Sequence, residues 1–293
     1  SCLQRWKGWT YEHGTQGFLP ASGTSVGLYL THIAAEGASP HVLQANYYAL
    51  KWAHSVCGLQ DPTTHALPRL VLEGARRQYT APKKTKKGPV PPKLLERLHM
   101  TFGKSNASLR DLRLLAMAFL AFAGFLRVGE LRCLRRDQIE FHTKFLSLQI
   151  PHSKTDVYNE GSEVVIAEGN KICPIVVLKR YLKKANVSAG SSEFIFRSLK
   201  KTKEGWELSN KKIPLSYTAA RDELAHYLKG IEVDPRVHGW HSFRHGGATA
   251  AAHSGIPDRL FKQHGRWKSK GAKDRYVHPT IGQRLEVSSS LGL

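Results

Sequence analysis

A segment rich in lysine and proline is the strongest constraint on the fold, because it divides the chain into two parts. It reads Thr80-Ala81-Pro82-Lys83-Lys84-Thr85-Lys86-Lys87-Gly88-Pro89-Val90-Pro91-Pro92. Four lysines among prolines and a glycine cannot form a buried apolar face, so we predict an extended linker over residues 81–92. The 293 residues leave enough chain for a core on each side. We therefore predict two domains, residues 1–80 and residues 93–293.

Both parts show mainly helical patterns. Before the linker, apolar residues recur at spacings of three and four over residues 25–33 and 43–52, which predicts a bundle of about four helices. After the linker, a strongly apolar helix over residues 112–123 is interrupted near Gly124 and resumes through residues 130–134. Further helices are predicted over residues 174–184, 217–229, 241–253 and 256–264.

Two short segments of the second part alternate instead. Residues 145–150 place Leu146, Leu148 and Ile150 on one face, and residues 163–167 are rich in β-branched side chains. The largely polar residues between them predict the connection of a hairpin. The predicted fold class is therefore mainly α with a small antiparallel β-sheet, in two domains.

The charge of the chain points to a polyanionic partner. It carries 44 Lys and Arg against 23 Asp and Glu, for a formal net charge of +21. Such a field attracts nucleic acid and accelerates its binding. The basic excess extends over both domains, which favours a clamp around double-stranded DNA. A basic DNA-binding protein without catalysis is equally consistent with the charge alone.

The linker lysines are candidate DNA-binding residues. These are Lys83, Lys84, Lys86 and Lys87. They fit a strap across the phosphate backbone, a nuclear localisation signal, or a merely solvated hinge.

The cysteines and the hydropathy exclude other protein classes. Cys2, Cys57, Cys133 and Cys173 form no Cys-x-x-Cys pair, so we interpret them as reduced intracellular thiols and not as a disulfide framework or zinc site. No apolar run approaches the ~18 residues of a membrane-spanning helix, so no membrane partner is predicted.

One short stretch has the chemistry for breaking a phosphodiester. His241 and Arg244 lie three residues apart in a predicted helix, on one face, and Tyr276 follows. Together they offer a proton-transfer group, a fixed cation and a nucleophile. A solvated histidine or arginine on a helix surface is the common alternative for each residue taken alone.

Three more residues extend this set, each with an ordinary alternative. Arg127 lies in a break between two apolar segments, where it could instead cap a helix or pair with Glu130. Lys154 follows a predicted strand and could protonate a leaving oxygen, or be a surface lysine. Trp267 precedes Tyr276 by nine residues and offers an indole N–H donor, or is a core tryptophan.

A metal site is not predicted. His238, His241 and His245 lie close together in sequence, but no nearby Cys, Asp or Glu completes a ligand set.

In order along the chain, these residues resemble the motifs of the tyrosine recombinase family, the phage-integrase-like recombinases. The match comprises Gly124 to Leu131 with Arg127, then Lys154, then His-x-x-Arg at His241 and Arg244, then Trp267 and Tyr276 at the family spacing. The layout of helical core-binding domain, linker and catalytic domain also resembles the family over nearly the whole chain. The lysine-rich linker looks most like recombinases of eukaryotic DIRS/Ngaro- or Crypton-type mobile elements.

The resemblance implies roles for these residues. Tyr276 would attack the scissile phosphate and form a 3′-phosphotyrosine, while Arg127, Arg244 and Trp267 would bind the non-bridging oxygens. His241 would assist deprotonation of Tyr276, and Lys154 would protonate the 5′-oxygen, although Lys144 and Lys171 lie near the same hairpin. The resemblance further implies no metal or nucleotide cofactor, and a tetramer on two DNA duplexes with an exchanged C-terminal segment. Whether residues 279–293 dock in cis or in trans is open.

The predicted function is thus a nuclear DNA strand-transferase, a tyrosine recombinase of a mobile element that acts in site-specific recombination or integration. Two alternatives stay open. One is a catalytically silent, domesticated DNA-binding module, and the other is an enzyme like the type IB topoisomerases that relaxes supercoils.

Overall fold

The computed structural model describes residues 1–14, 17–79, 87–153, 156, 158, 160–267, 269, 271, 274 and 281–290. The chain divides into two units, Ser1–Lys84 and Thr85–Leu293. The division falls within the lysine-rich segment.

Among its described residues, the N-terminal unit has four α-helices, as the apolar periodicity predicts. They are α1 (Cys2–Glu12), α2 (Gly23–Ala35), α3 (Pro40–Val56) and α4 (Ala66–Gln78). Serines begin the first two: the Ser1 side chain accepts from the Gln4 amide, and Ser22 accepts from Ser25. The core of the unit contains Trp6 and Tyr29, and the Tyr29 hydroxyl donates to Asn46 Oδ1 at 2.8 Å.

The C-terminal unit is also mainly helical. Its helices are α5 (Pro92–Phe102), α6 (Leu109–Ala123), α7 (Val128–Arg132), α8 (Pro174–Lys184), α9 (Tyr217–Gly230), α10 (Trp240–His253), α11 (Asp258–His264) and α12 (Ile281–Ser289). Helix α6 lies in the middle of the core, because it is buried over residues 112–121 and packs against α5, α8 and α10. An apolar helix buried on all sides is what its sequence predicts.

Two small antiparallel sheets complete this unit. Strands β1 (Ile139–Phe141), β2 (Phe145–Ile150) and β3 (Ser162–Ala167) pair in that order, with Leu146 opposite Ile166. Leu146, Leu148 and Ile150 are all buried, as their alternation predicts. Strands β4 (Leu199–Thr202) and β5 (Gly205–Leu208) form a separate hairpin. The predicted fold class, mainly α with a small antiparallel sheet, is confirmed.

The C-terminal end of the predicted linker packs against the C-terminal unit. Val90 is fully buried, and its amide donates to the Ser242 carbonyl at 2.9 Å. The Gly88 amide donates to the Val237 carbonyl at 3.0 Å. One apolar side chain and these backbone hydrogen bonds are enough to bind residues 88–90 to the C-terminal unit. Residues 81–86 lie outside the described residues, so the extended linker over residues 81–92 stays a prediction.

Helix boundaries differ slightly from the predicted ones where caps decide them. Helix α11 begins at Asp258 instead of residue 256, because Ile256 precedes a proline and residues before proline avoid helical torsions. Helix α7 begins at Val128 instead of residue 130, because the Glu130 carboxylate caps the Arg127 amide.

All four cysteines are free. Among the described residues, no helix is long and apolar enough to cross a membrane.

Candidate active site

Arg127 lies in the turn between α6 and α7. Phe125 has a positive φ of 46°, so the chain reverses sharply after α6 ends. The Arg127 guanidinium donates from Nη1 to Glu130 Oε1 at 2.8 Å, and its own amide donates to Glu130 Oε2 at 2.9 Å. The Arg127 side chain is 20% exposed. It is thus both the paired helix cap considered from sequence and a cation that solvent can reach.

Arg244 projects from α10 into the same region. It is fully buried, and it donates from Nη2 to the Gly265 carbonyl at 2.7 Å and from Nη1 to the Phe125 carbonyl. Its guanidinium carbon lies 5.1 Å from the centroid of the Trp267 ring, a cation–π distance. Helix α10 therefore delivers a second cation to the turn that carries Arg127.

His241 lies in the first turn of the same helix, near both cations. The pKa of its imidazole is lowered, first by desolvation and then by the positive charges of Arg244 and Arg127. The residue as a whole is exposed, so solvent can still reach the imidazole. A lowered pKa keeps the imidazole neutral near pH 7, and a neutral imidazole can accept a proton.

Trp267 packs next to the Arg244 guanidinium. It is 5% exposed and packs with Phe125 and Phe261, with ring centroids 6.0 and 5.0 Å away. Trp267 therefore occupies the environment of a core tryptophan, which was considered from sequence as the alternative to an indole N–H donor. Its ring also supports Arg244.

Arg266 joins the group, although sequence reasoning assigned it no role. It donates from Nη2 to Glu130 Oε2 at 2.8 Å, and the two side chains are 7% and 3% exposed. Desolvation lowers the pKa of Arg266, the Arg127 charge lowers it further, and Glu130 opposes both. Only the Gly265-Arg266-Trp267 context hinted at this residue, and no local pattern indicates a partner 136 positions away.

Three separated segments therefore meet at one place: the turn before α7, the start of α10, and the turn after α11. They bring together Arg127, His241, Arg244 and Trp267 of the predicted set. Lys154, Tyr276, Lys83, Lys84 and Lys86 lie outside the described residues. Lys87 is described, and its Nζ donates to the His238 carbonyl at 3.2 Å.

The remaining histidines and lysines that the sequence placed near the site have these positions in the structure. His238 contacts the Gly88 carbonyl through Nδ1 at 3.1 Å, and His245 is half-buried on α10. Lys144 and Lys171 are exposed. Within the described ranges, no group of three or more His, Cys, Asp or Glu could hold a metal ion.

Comparison with known proteins identifies the chain. The profile of the phage integrase family matches residues 93–282, more than half of the chain. The chain belongs to this family. Its members are DNA strand-transferases, so the predicted enzyme class and the resemblance to tyrosine recombinases are confirmed at that level.

Individual relatives agree with the family assignment. An integrase/recombinase XerD homolog of Selenomonas ruminantium is 26% identical over 277 residues, covering 92% of this chain and 76% of that protein. The structure of the Tn1549 transposon integrase with transposon right end DNA has a TM-score of 0.62 and 14% identity, and all of both chains is covered. The XerH site-specific recombinase bound to palindromic difH substrate has a TM-score of 0.61 and 14% identity, over 99% of this chain and 76% of that one. At these identities the structural likeness shows a shared fold.

Proposed function

We propose that this chain cleaves and rejoins DNA through a covalent 3′-phosphotyrosine at Tyr276. The Tyr276 oxygen attacks the phosphorus, a phosphorus–oxygen bond to tyrosine forms, and the bond to the 5′-oxygen breaks. His241 accepts the phenolic proton, and Lys154 protonates the departing 5′-oxygen. The phosphotyrosine keeps a phosphodiester linkage, so attack by a 5′-hydroxyl reverses the step.

The observation that carries this proposal is the meeting of Arg127, His241 and Arg244 at one place. The transition state of phosphoryl transfer gathers negative charge on the non-bridging oxygens, and guanidinium groups stabilise it by bidentate, charged hydrogen bonds. A histidine whose pKa is lowered by desolvation and by two nearby cations stays neutral and is suited to act as a base. Such a group has no evident role in a protein that only binds DNA.

Arg244 imposes one condition on the mechanism. It is fully buried and already donates to two carbonyl oxygens. The Arg244 guanidinium can therefore contact a phosphate only if DNA binding moves some of the protein atoms that now bury it. Trp267, which is nearly buried beneath Arg244, supports the guanidinium and reaches the phosphate only after the same change.

The partner proposed is double-stranded DNA. Support comes from the net charge of +21 and from relatives whose solved structures contain DNA. We further propose the finer assignments that the resemblance suggests: a mobile-element recombinase of DIRS/Ngaro or Crypton type, a tetramer on two duplexes, and nuclear localisation through the lysine-rich segment. Within this proposal residues 1–80 bind DNA and residues 93–293 carry the chemistry.

A covalent-adduct assay tests the function. The wild type, Tyr276→Phe and Tyr217→Phe are incubated with nicked suicide duplexes that carry the sequences flanking the gene, and with a randomised duplex pool. Adducts are resolved on denaturing gels. We expect an adduct with the wild type and with Tyr217→Phe, which changes an exposed tyrosine of the same unit. We expect none with Tyr276→Phe.

The other outcomes separate the alternatives. DNA binding without any adduct would indicate the silent binding module. Relaxation of supercoiled plasmid without joining of two duplexes would indicate a topoisomerase. An adduct that persists in Tyr276→Phe would show that another residue is the nucleophile.

A further inference from the structure

Glu130 lies between two arginines. Oε1 accepts from Arg127 Nη1 at 2.8 Å, and Oε2 accepts from Arg266 Nη2 at 2.8 Å and from the Arg127 amide at 2.9 Å. The carboxylate is 3% exposed and the Arg266 guanidinium 7%. Arg127 is the only member of this trio with substantial access to solvent.

The charges of the trio do not cancel. A single buried carboxylate paired with Arg127 alone would offset most of the charge that Arg127 offers to a phosphate. Arg266 supplies a second, buried cation to the same carboxylate. The three side chains together therefore retain one net positive charge, and its accessible part is the Arg127 guanidinium.

The backbone of Arg266 indicates that this arrangement is specific. Arg266 has φ of 55°, a left-handed conformation that non-glycine residues rarely adopt and that is often found at functional sites. Its guanidinium lies against the turn that carries Arg127. There it also donates to the carbonyl oxygens of Phe125 at 3.2 Å and Gly124 at 3.4 Å. A single side chain thus holds both Glu130 and the turn.

We propose that Arg266 is a positioning residue for strand cleavage, which neutralises Glu130 so that Arg127 keeps its charge for the scissile phosphate. The inference rests on the proposed role of Arg127 in cleavage. Arg266 itself contacts no DNA in this scheme.

A double-mutant cycle on the full chain tests the charge argument. The rate constant for adduct formation at saturating DNA is measured for Arg266→Gln, Glu130→Gln and the double variant, on a nicked duplex that the wild type cleaves. Arg266→Gln should slow adduct formation by about tenfold or more, while the Kd for DNA changes little. This loss is smaller than the about 10²–10³-fold cost of removing a donor that contacts the reacting group. Adding Glu130→Gln should restore part of the rate, because it removes the carboxylate left unneutralised.

Three further measurements exclude a purely structural role. Arg266→Lys retains the charge and should be several-fold faster than Arg266→Gln. Arg259→Gln removes an exposed arginine from the preceding helix and should match the wild type. Thermal unfolding midpoints of all variants report folding independently of the rate.

The outcomes are distinct. If the double variant is no faster than Arg266→Gln, or if Arg266→Lys is as slow as Arg266→Gln, the proposal is wrong even though the wild type forms its adduct. If all rates follow the unfolding midpoints, Arg266 is only structural and the proposal is again wrong. If the wild type itself forms no Tyr276-dependent adduct, the proposed function fails and this inference fails with it.

Discussion

At the scale of single residues, the site depends on how its neighbours set charge and protonation. Desolvation lowers the pKa of the His241 imidazole, and the charges of Arg244 and Arg127 lower it further. Glu130 faces two arginines as well and remains a buried carboxylate. Arg244 and Arg127 are each a local partner, three residues from His241 and Glu130 respectively, whereas the second arginine of each pairing comes from a distant segment. Their combined effect is a neutral base beside a net positive charge.

The depressed pKa of His241 leads to a prediction about pH. The neutral imidazole is the form that accepts a proton, and its pKa lies below the ordinary 6.5. The second-order rate constant of adduct formation at low DNA concentration should therefore be independent of pH above about pH 7. It should fall only below pH 6.5, by up to about tenfold per pH unit. This rate reports the free enzyme, before the DNA phosphates act on the imidazole. Quenched-flow measurements from pH 5 to 8 would give the profile.

A matched pair of variants tests whether His241 causes the acid limb. His241→Asn should be slow and should lose this limb. His226→Asn changes an exposed histidine of α9 and should keep the wild-type profile. A midpoint at or above pH 6.5, or an unchanged limb in His241→Asn, would contradict the assignment.

At the scale of elements, the spacing of apolar residues predicts most helices, but it does not predict the β4–β5 hairpin or helix α5. Helix α8 spans Pro174–Lys184, as its apolar spacing and initial proline predict. The β4–β5 hairpin was not predicted, because Lys200 and Lys201 make its first strand weakly apolar. Helix α5 was also missed, because Pro91 and Pro92 hid a helix that begins at a proline. Where polar residues or prolines mask the periodicity, only packing against α6 reveals the element.

Helix α10 provides a test at this scale. A Cβ on Gly246 would lie inside van der Waals contact with the Val90 carbonyl, a backbone atom that cannot move aside easily. Gly246→Ala should therefore destabilise the C-terminal unit by about 1–3 kcal/mol despite the better helix propensity of alanine. It should also slow adduct formation, because α10 carries His241 and Arg244. Urea unfolding and the adduct assay measure the two effects.

Gly74 is the matched control for this substitution. It lies within helix α4, and a Cβ there would meet no atom within 4 Å. Gly74→Ala should stabilise the N-terminal unit by about 0.5–1 kcal/mol through helix propensity alone. Equal effects of the two substitutions would show that α10 does not approach Val90 as described.

At the scale of the whole molecule, charge governs association with DNA. With a net charge of +21, binding should be dominated by release of counterions from the phosphates. For about 6–10 phosphate contacts, affinity for a non-specific duplex should fall roughly 10³–10⁵-fold between about 50 and 200 mM salt. Fluorescence anisotropy across this range gives the slope of log K against log salt. A nearly flat dependence would contradict a phosphate-binding clamp.

The linker lysines can be tested by the same measurement. Glutamine at Lys83, Lys84, Lys86 and Lys87 should reduce the magnitude of the slope by about 3–4 if all four contact phosphates. A control variant with the same loss of charge carries glutamine at Lys200, Lys201, Lys203 and Lys211, which are all exposed. If the control reduces the slope equally, the linker has no special role in binding.

By itself, the sequence determined the helical class and the division into two parts, and it indicated the residues that we propose for the chemistry, in family order. These depend on periodicity, composition and short spacings, which are local properties of a chain. Tertiary structure alone decided the burial of Val90 and Arg244, and the sharing of Glu130 between Arg127 and Arg266. The physical reason is that these contacts join distant residues: Arg244 and Phe125 are 119 positions apart, and Arg266 and Glu130 are 136 positions apart. Their partners are selected by the packing of α6, α7 and α10 and not by any local pattern.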